Sequence, residues 1–581
     1  MLVVGLASFA GCLGTGALML RALGMRWPAP FLQIGAVLLG LHLQSLTVQL
    51  LAMGRLATPL ALIAVWIAII VLGALGLGTL ARSREPKALP AIPRIALALL
   101  VIAAAINLAA AVVPSSKIDE IYYVNLFASR LVTDQALVAY RQPIEAAILV
   151  QMTYAVASAP LQALGFPDAA NVVSWALGVA LVWFGWRLLR DEGSTSPLAY
   201  SVVAVIAVGV YPLVFETTGG SHALGDLSLA AAVLGLAYAP RLIAANGPVP
   251  YVLMMSLLSW SAASTKLSLF PVSAACLALA AALAWRAAAG ARFMLVLSAT
   301  SMWLVFGGPI ALWDWLHAGS PFGPVFADLL GSPFFSPGAF EEYATRTLSI
   351  EWESGWAILR DNVAARGALI WLAALGFFLS SGWPAAFRWM AAFLLFGQAL
   401  VILCLLQPQV RFLSGLPCAL AICLALRPPG WLEQRQRIVA AVAAVAVVPW
   451  LAGQIFYGAQ FVPRALDLAD RATFLRRHIA LYDDFQRLDS ILPPNAVLIA
   501  PGMRAAASYA PRPMLFDPAD LPPDRPAYLL STAGPEADGL TVGPQVYANQ
   551  AALLSVGRRW WVPAIVGELR VYSAGRATSL R

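Results

Sequence analysis

Apolar residues fall along this chain in long blocks rather than in alternating or heptad patterns. About fourteen blocks before residue 458 reach the ~20 mostly apolar residues that a helical bilayer crossing requires. They run near 1–20, 30–53, 57–80, 94–114, 169–187, 197–215, 222–240, 249–264, 266–285, 293–312, 367–383, 388–406, 412–427 and 438–457. In lipid, only a helix or a closed barrel pairs all of its own backbone polar groups, so these blocks are predicted to be helices. Two gaps, 115–168 and 313–366, are too long to be simple connectors, and beyond 458 the blocks give way to proline, charge and short elements.

The gap at 115–168 reads as two helices lying at the membrane interface, 121–132 and 145–164, separated by 134–143. In the tail, Phe474, Ile479, Leu481, Phe485, Leu488 and Ile491 recur at helical spacing over 470–491 until Pro493-Pro494-Asn495 ends the run. The apolar run 496–500 then predicts a buried strand, with further strands at 513–516, 527–531 and 569–573. The expected architecture is an α-helical polytopic membrane protein carrying a small C-terminal α/β domain over residues 458–581.

Composition agrees with this pattern. Hydrophobic residues make up 60% of the chain against 11% charged, with a mean hydropathy of +0.78, which excludes an ordinary soluble globule. The net charge of +8 does not point to nucleic acid, because Arg21, Arg26, Arg82, Arg84, Lys87, Arg94, Arg187, Arg190, Arg241, Arg286, Arg292, Arg388, Arg427, Arg435 and Arg437 lie in or around alternate connections. Positive charge is retained on the cytoplasmic side, so the two long loops and the tail are expected on the opposite face. That topology puts the working end of the protein on the extracytoplasmic side. The first block lacks a charged n-region and reads as a retained helix rather than a cleaved signal. Cys12, Cys276, Cys404, Cys418 and Cys423 all fall inside predicted spans, which predicts no disulfide framework for the tail. His42, His222, His317 and His478 are scattered without metal-ligand spacing, so no structural zinc site is expected.

Candidate chemistry collects at the outer ends of the predicted spans. Asp119 and Glu120, in Ser116-Lys117-Ile118-Asp119-Glu120, open the first long loop, and their plain alternative is to cap the helix that follows. His222 and Asp226 flank the start of one span, after Glu216 and the polar run Thr217–Ser221, and either can simply close a helix turn. Lys266 follows Thr265 at another outer turn, and Arg411 follows Gln407-Pro408-Gln409. These cations suit a lipid phosphate, or else snorkel to headgroups. Arg130, Arg141 and Arg346 are further cations in the two long loops, and Trp313, Trp315, Trp352 and Trp356 lie in or beside the second, although tryptophan also favours membrane interfaces generally.

These stretches together resemble the GT-C superfamily of membrane glycosyltransferases, which includes protein O-mannosyltransferases and lipid A aminoarabinose transferases. The resemblance rests on the pair Asp119-Glu120, the Gly225-Asp226 turn, Ser264-Thr265-Lys266-Leu267-Ser268, the Ala318–Phe326 loop and Gln409-Val410-Arg411-Phe412-Leu413, in that order, followed by the outer domain. It covers roughly residues 95–580, that is, the catalytic membrane region 94–457 and the tail. Members commonly place the acidic motif after their first helix, whereas four spans precede it here, so residues 1–93 read as added N-terminal helices.

The resemblance implies an inverting transfer of a sugar from a polyprenyl-phosphate donor to a glycolipid, polysaccharide or protein acceptor on the outer face. A carboxylate must take the acceptor proton, and that base is assigned to Asp119 with Glu120 as substitute; on a helix the two point about 100° apart, so one faces a given substrate. Lys266 and Arg411, then Arg130, Arg141 and Arg346, would offset the leaving phosphate, with Asp226 holding acceptor or cation and His222 donating to a phosphate oxygen. Asp119 and Asp226 are also of a type to share a divalent ion with a phosphate. Two other readings stay open: a flippase or transporter for lipid-linked sugars, disfavoured by the lack of an internal repeat, and an O-antigen ligase or polymerase relying on residues of 313–366.

Overall fold

The computed structural model describes residues 1–82, 94–116, 121, 124–143, 147–194, 196–210, 222–339, 368–405, 415–479, 481–501, 507–532, 534–535, 538–555 and 565–576. Counting helices of eight residues or more, α1 (Leu2–Ala22), α2 (Ala29–Met53), α3 (Pro59–Arg82) and α4 (Arg94–Ala111) open the chain. The first long loop contains α5 (Asn125–Asp134) and α6 (Thr153–Ala163). The bundle continues with α7 (Ala169–Asp191), α8 (Pro197–Val205), α9 (His222–Ala237), α10 (Ala239–Asn246), α11 (Pro248–Ala263) and α12 (Phe270–Trp285). It closes with α13 (Arg292–Phe306), α14 (Gly308–Ala318), α15 (Ala368–Phe378), α16 (Ala385–Leu405), α17 (Gly415–Leu426) and α18 (Gln436–Gly458).

The chain is an α-helical membrane protein, but the expectation of fourteen crossings is corrected. Among the described residues, six helices are long and apolar enough to cross a membrane, or up to eight if two bent pairs each count as one span. The bent pairs are α9–α10, at 81°, and α13–α14, at 53°. Other expected crossings hold shorter apolar helices, such as Pro248–Ala263 and Gly415–Leu426. The physical reason is that hydropathy counts apolar length and is blind to breakers: Pro240 starts α10, and Gly307-Gly308-Pro309 separates α13 from α14. Long apolar faces remain uncovered, including Leu60, Ile67, Val71 and Leu75 on α3 and Ile438, Val442 and Val445 on α18, as a lipid-facing surface requires.

The three N-terminal helices pack into the bundle. α2 is buried along most of its length and carries polar side chains into the bundle: His42 Nε2 lies 2.8 Å from Ser261 Oγ on α11, and Gln44 Nε2 donates to Ala157 O of α6 at 2.6 Å. Its contact with α1 is backbone to backbone, because a Cβ at Gly40 would overlap the carbonyl of Cys12. The helix α6 also departs from the expected interfacial position. Residues Thr153–Leu161 are all buried, since a helix apolar or small on every side belongs in a core rather than at a surface.

Beyond α18, the expected helix over 470–491 is two helices, α19 (Arg471–His478) and α20 (Tyr482–Ile491), broken where Leu481 takes a left-handed φ of 63°. The sheet that follows has the order β2-β1-β3-β5-β4, made of β1 (Val497–Ile499), β2 (Met514–Leu515), β3 (Ala527–Ser531), β4 (Leu540–Ser555) and β5 (Ile565–Arg576). Strand β1 runs parallel to β2 and β3, and β5 pairs antiparallel with β3 and β4. All four expected strands fall on this sheet; β4 is the one sequence reasoning missed, because Gly543-Pro544 punctuates it and bulges interrupt its register. Phe461, Phe474, Phe485, Leu498 and Val571 form one apolar core with Val113, Ile121 and Leu126, so the domain is continuous with the first long loop.

Candidate functional site

Residues far apart in sequence meet at the end of the bundle that carries the sheet domain. His222 and Asp226, one helical turn apart on α9, are both buried. The Asp226 carboxylate accepts the backbone N–H of Gly415, the first residue of α17, at 2.9 Å, where an acid satisfies an orphan amide and complements the helix dipole. A Cβ at Gly415 would meet the Asp226 carbonyl oxygen at 2.7 Å, so this crossing requires glycine. On the other side of α9, Gly225 leaves room for Thr265, whose Oγ1 lies 2.7 Å from where a Cβ would stand. The Gly225-Asp226 turn, the Thr265-Lys266 turn and the start of α17 therefore form one junction.

Lys266 has an extended backbone, φ −155° and ψ 141°, between α11 and the short turn Leu267–Leu269. The next amide, Leu267 N–H, donates to Gln151 Oε1 at 3.0 Å, and the Ser268 carbonyl accepts from Gln398 Nε2 at 2.8 Å. The segment 147–151 reaches the fourth motif too. Gly323, in the Ala318–Phe326 loop, has a left-handed φ of 57° and sits so close that a Cβ would overlap the carbonyl of Ala147. Asp314, fully buried on α14, fixes this turn by accepting the Gly323 N–H at 3.1 Å. Trp313 stacks on His317, while Trp315 is exposed.

A second junction anchors the stretch that leads into the acidic pair. Ser115 donates both its N–H, at 2.9 Å, and its hydroxyl, at 3.0 Å, to Asp168 Oδ1 at the start of α7. Its hydroxyl oxygen accepts from Asn125 at 2.8 Å and Asn171 at 3.3 Å, and its carbonyl accepts from Tyr509 Oη of the sheet domain at 2.7 Å. Burial pushes the Asp168 carboxyl above its ordinary range in spite of the two bonds from Ser115. About two helical turns farther into the bundle, an apolar groove of about 290 Å³ opens between α4, α7 and α8, lined by residues including Leu100, Asn107, Trp175, Val179, Trp183 and Ala207.

Arg130 and Arg141, read from the sequence as phosphate ligands, clasp the sheet domain. Arg130 donates to the carbonyls of Gln142, at 3.2 Å, and Met514, at 2.9 Å, and lies over the Tyr140 ring. Arg141 pairs with Asp520 at 3.3 Å, and its Nε donates to the Phe334 carbonyl at 2.7 Å. Burial and the neighbouring Asp517 raise the Asp520 carboxyl to about 6, against the opposing pull of Arg141. The folded state thus holds this proton more tightly than the unfolded chain. The resulting stability is fully present below the ordinary carboxyl value and is lost as pH rises through about 6. Asp134 and Asp168, both raised by burial, act in the same direction. Thermal melts across pH 4 to 8 are expected to fall with pH, and Asp520→Asn is expected to remove roughly 2–3 kcal/mol of that slope.

Asp119, Glu120, Arg346 and Arg411, with Glu216, Trp352 and Trp356, lie outside the described residues. The structure thus brings together His222, Asp226, Lys266 and the loop around Gly323, and assigns Arg130 and Arg141 to the domain contact. Gln151, Ser115, Asp168 and Asp314 were missed from sequence; the signal available was a lone polar residue in an apolar run, as in Leu149-Val150-Gln151-Met152, or just before a span, as at Asp168. Among the described residues, no three His, Cys, Asp or Glu side chains gather as a metal-binding group. Compared with protein-family models and with curated proteins, the chain matches none.

Proposed function

We propose that this protein is an inverting membrane glycosyltransferase of GT-C type, moving a sugar from a polyprenyl-phosphate donor to an acceptor at the domain-bearing, periplasmic side of a bacterial inner membrane. The observation that carries the reading is the junction of the Gly225-Asp226 turn, the Thr265-Lys266 turn and the start of α17 beside segment 147–151, which joins polar groups separated by more than a hundred residues. Such a junction offers a cation and acids at the edge of the membrane, where a phosphate headgroup lies. Asp119 acts as the base, Glu120 as its neighbour, and Lys266 and Arg411 offset the charge on the departing polyprenyl phosphate. Asp226 and His222 orient these groups, Arg346 adds to the positive charge for the phosphate, and a divalent ion shared by Asp119 and Asp226 would supply further charge stabilisation.

The groove between α4, α7 and α8 supports a lipid-linked donor. It is apolar, it faces the membrane along the exposed Val101, Val179 and Trp183, and it starts just inside the Ser115 junction. Filling it with Ala104→Trp is expected to raise the KM for a long-chain polyprenyl-phosphate sugar several-fold and to leave a single-isoprene analogue unaffected, with kcat unchanged. Steady-state sugar release by purified protein in nanodiscs checks this. Equal KM changes for both donors would remove the groove from the account, and a wild type that consumes neither would remove the transferase reading.

A further inference from the structure

Lysine is a flexible, strongly hydrated cation, so a phosphate gains little from it unless the protein fixes where its chain leaves the backbone. At Lys266 two side chains from elsewhere in the bundle add to the fixing that its own short turn supplies. Ser264 ends α11, and Lys266 departs in an extended conformation, its carbonyl accepting the Leu269 N–H of the next short turn at 3.0 Å. Its extension is held one residue later, where Gln151 Oε1 accepts the Leu267 N–H at 3.0 Å, and two residues later, where Gln398 holds the Ser268 carbonyl at 2.8 Å. Gln151 is itself seated on a short turn, Leu149–Gln151, whose leading residues Ala147 and Ile148 press on Gly323. The amide is thus braced by the Ala318–Phe326 loop on one side and reaches the Lys266 turn on the other.

We propose that Gln151 is a positioning residue for Lys266, setting the geometry in which the lysine ammonium grips the phosphate of a lipid-linked ligand. The inference rests on the assignment of Lys266 to phosphate in the proposed function, yet its test does not require turnover. With Gln151→Ala, the Leu267 amide loses its acceptor, the turn relaxes, and the ammonium samples positions off the phosphate. The lysine keeps its charge, so only geometry changes.

The test is a double-mutant cycle on binding, using the full-length protein in nanodiscs and three probes: undecaprenyl phosphate, undecaprenol lacking the phosphate, and inorganic phosphate. Gln151→Ala is expected to weaken undecaprenyl phosphate binding on the order of tenfold, within the cost of a misplaced contact, while undecaprenol binding stays unchanged. In a Lys266→Ala background the same change is expected to have less than about a twofold effect, because the residue acts through the lysine. A parallel loss for inorganic phosphate identifies the anion alone as the ligand, whereas a loss confined to the lipid identifies a headgroup held together with its chain; both agree with the inference. Equal losses in the two backgrounds indicate a merely structural amide and overturn it, as does full binding in Gln151→Ala or in Lys266→Ala. Gln398→Ala, which removes the neighbouring bond and leaves Gln151 in place, provides a second variant should Gln151→Ala elute as aggregate, and the same non-additivity is expected of it. If coupling is found but no donor is turned over, the transferase reading fails and the positioning role stands.

Discussion

Changing Asp119 to asparagine is expected to lower sugar transfer by roughly 10²–10⁴-fold, the usual contribution of a positioned general base, while elution profile and melting temperature match wild type. The amide keeps the shape of the carboxylate and cannot accept the acceptor proton. KM for the donor should change little, because the proton moves in the transition state rather than on binding. Glu120→Gln is expected to be milder, since only one of two adjacent carboxylates is expected to meet the acceptor. Steady-state rates of the two variants at saturating donor decide between them. A reversed order moves the base to Glu120. An O-antigen ligase predicts the opposite pattern, with Asp119→Ala mild and Arg346→Ala severe.

The largest stability effect is expected at Gly40. Here α1 and α2 approach so closely that a Cβ would overlap the Cys12 carbonyl, and the neighbouring glycines Gly14, Gly16 and Gly76 make equally close backbone contacts within α1–α3. In lipid, where water drives little association between helices, such contacts carry much of the packing energy. Gly40→Leu must separate two backbones, an overpacking that costs at least about 3 kcal/mol. Because α2 also supports α6 through Gln44 and α11 through His42, the loss should spread to the bundle. Gly78→Leu is the matched control, a helical glycine of α3 with open space around it, and is expected to be silent. Thermal unfolding in detergent, followed by size-exclusion fluorescence, distinguishes the two.

What the sequence revealed and what it concealed follow from the range of each interaction. Helices α1, α2, α3, α7, α12 and α18 were legible, because about twenty mostly apolar residues leave lipid-crossing helix as the only solution, a run that α18 keeps even through Pro449. Bends were not, since Gly307-Gly308-Pro309 adds nothing polar to its window while redirecting the axis. Strands β1, β2 and β3 announced themselves as buried apolar runs, whereas β4 is exposed and punctuated by Pro544. At the site, Asp226, His222 and Lys266 were visible as polar residues at span ends. Their partners were not. Gln151 serves a backbone amide more than a hundred residues away and Asp168 serves Ser115, and no local pattern encodes a bond to a distant main chain. The domain contacts of Arg130 and Arg141 were hidden too, because an arginine in an outer loop has the same local signature whether it binds phosphate or a neighbouring domain's carbonyls.

The central claim is the transfer of a sugar from a polyprenyl phosphate. It is tested most directly by presenting purified protein in lipid nanodiscs with a panel of radiolabelled polyprenyl-phosphate sugars and comparing wild type with Asp119→Asn and Glu120→Gln. The account predicts that wild type releases sugar from at least one donor and that Asp119→Asn does not. Intact donor with wild type, together with passage of the same lipid-linked sugar across the bilayer of a reconstituted vesicle, would contradict it and make the protein a transporter.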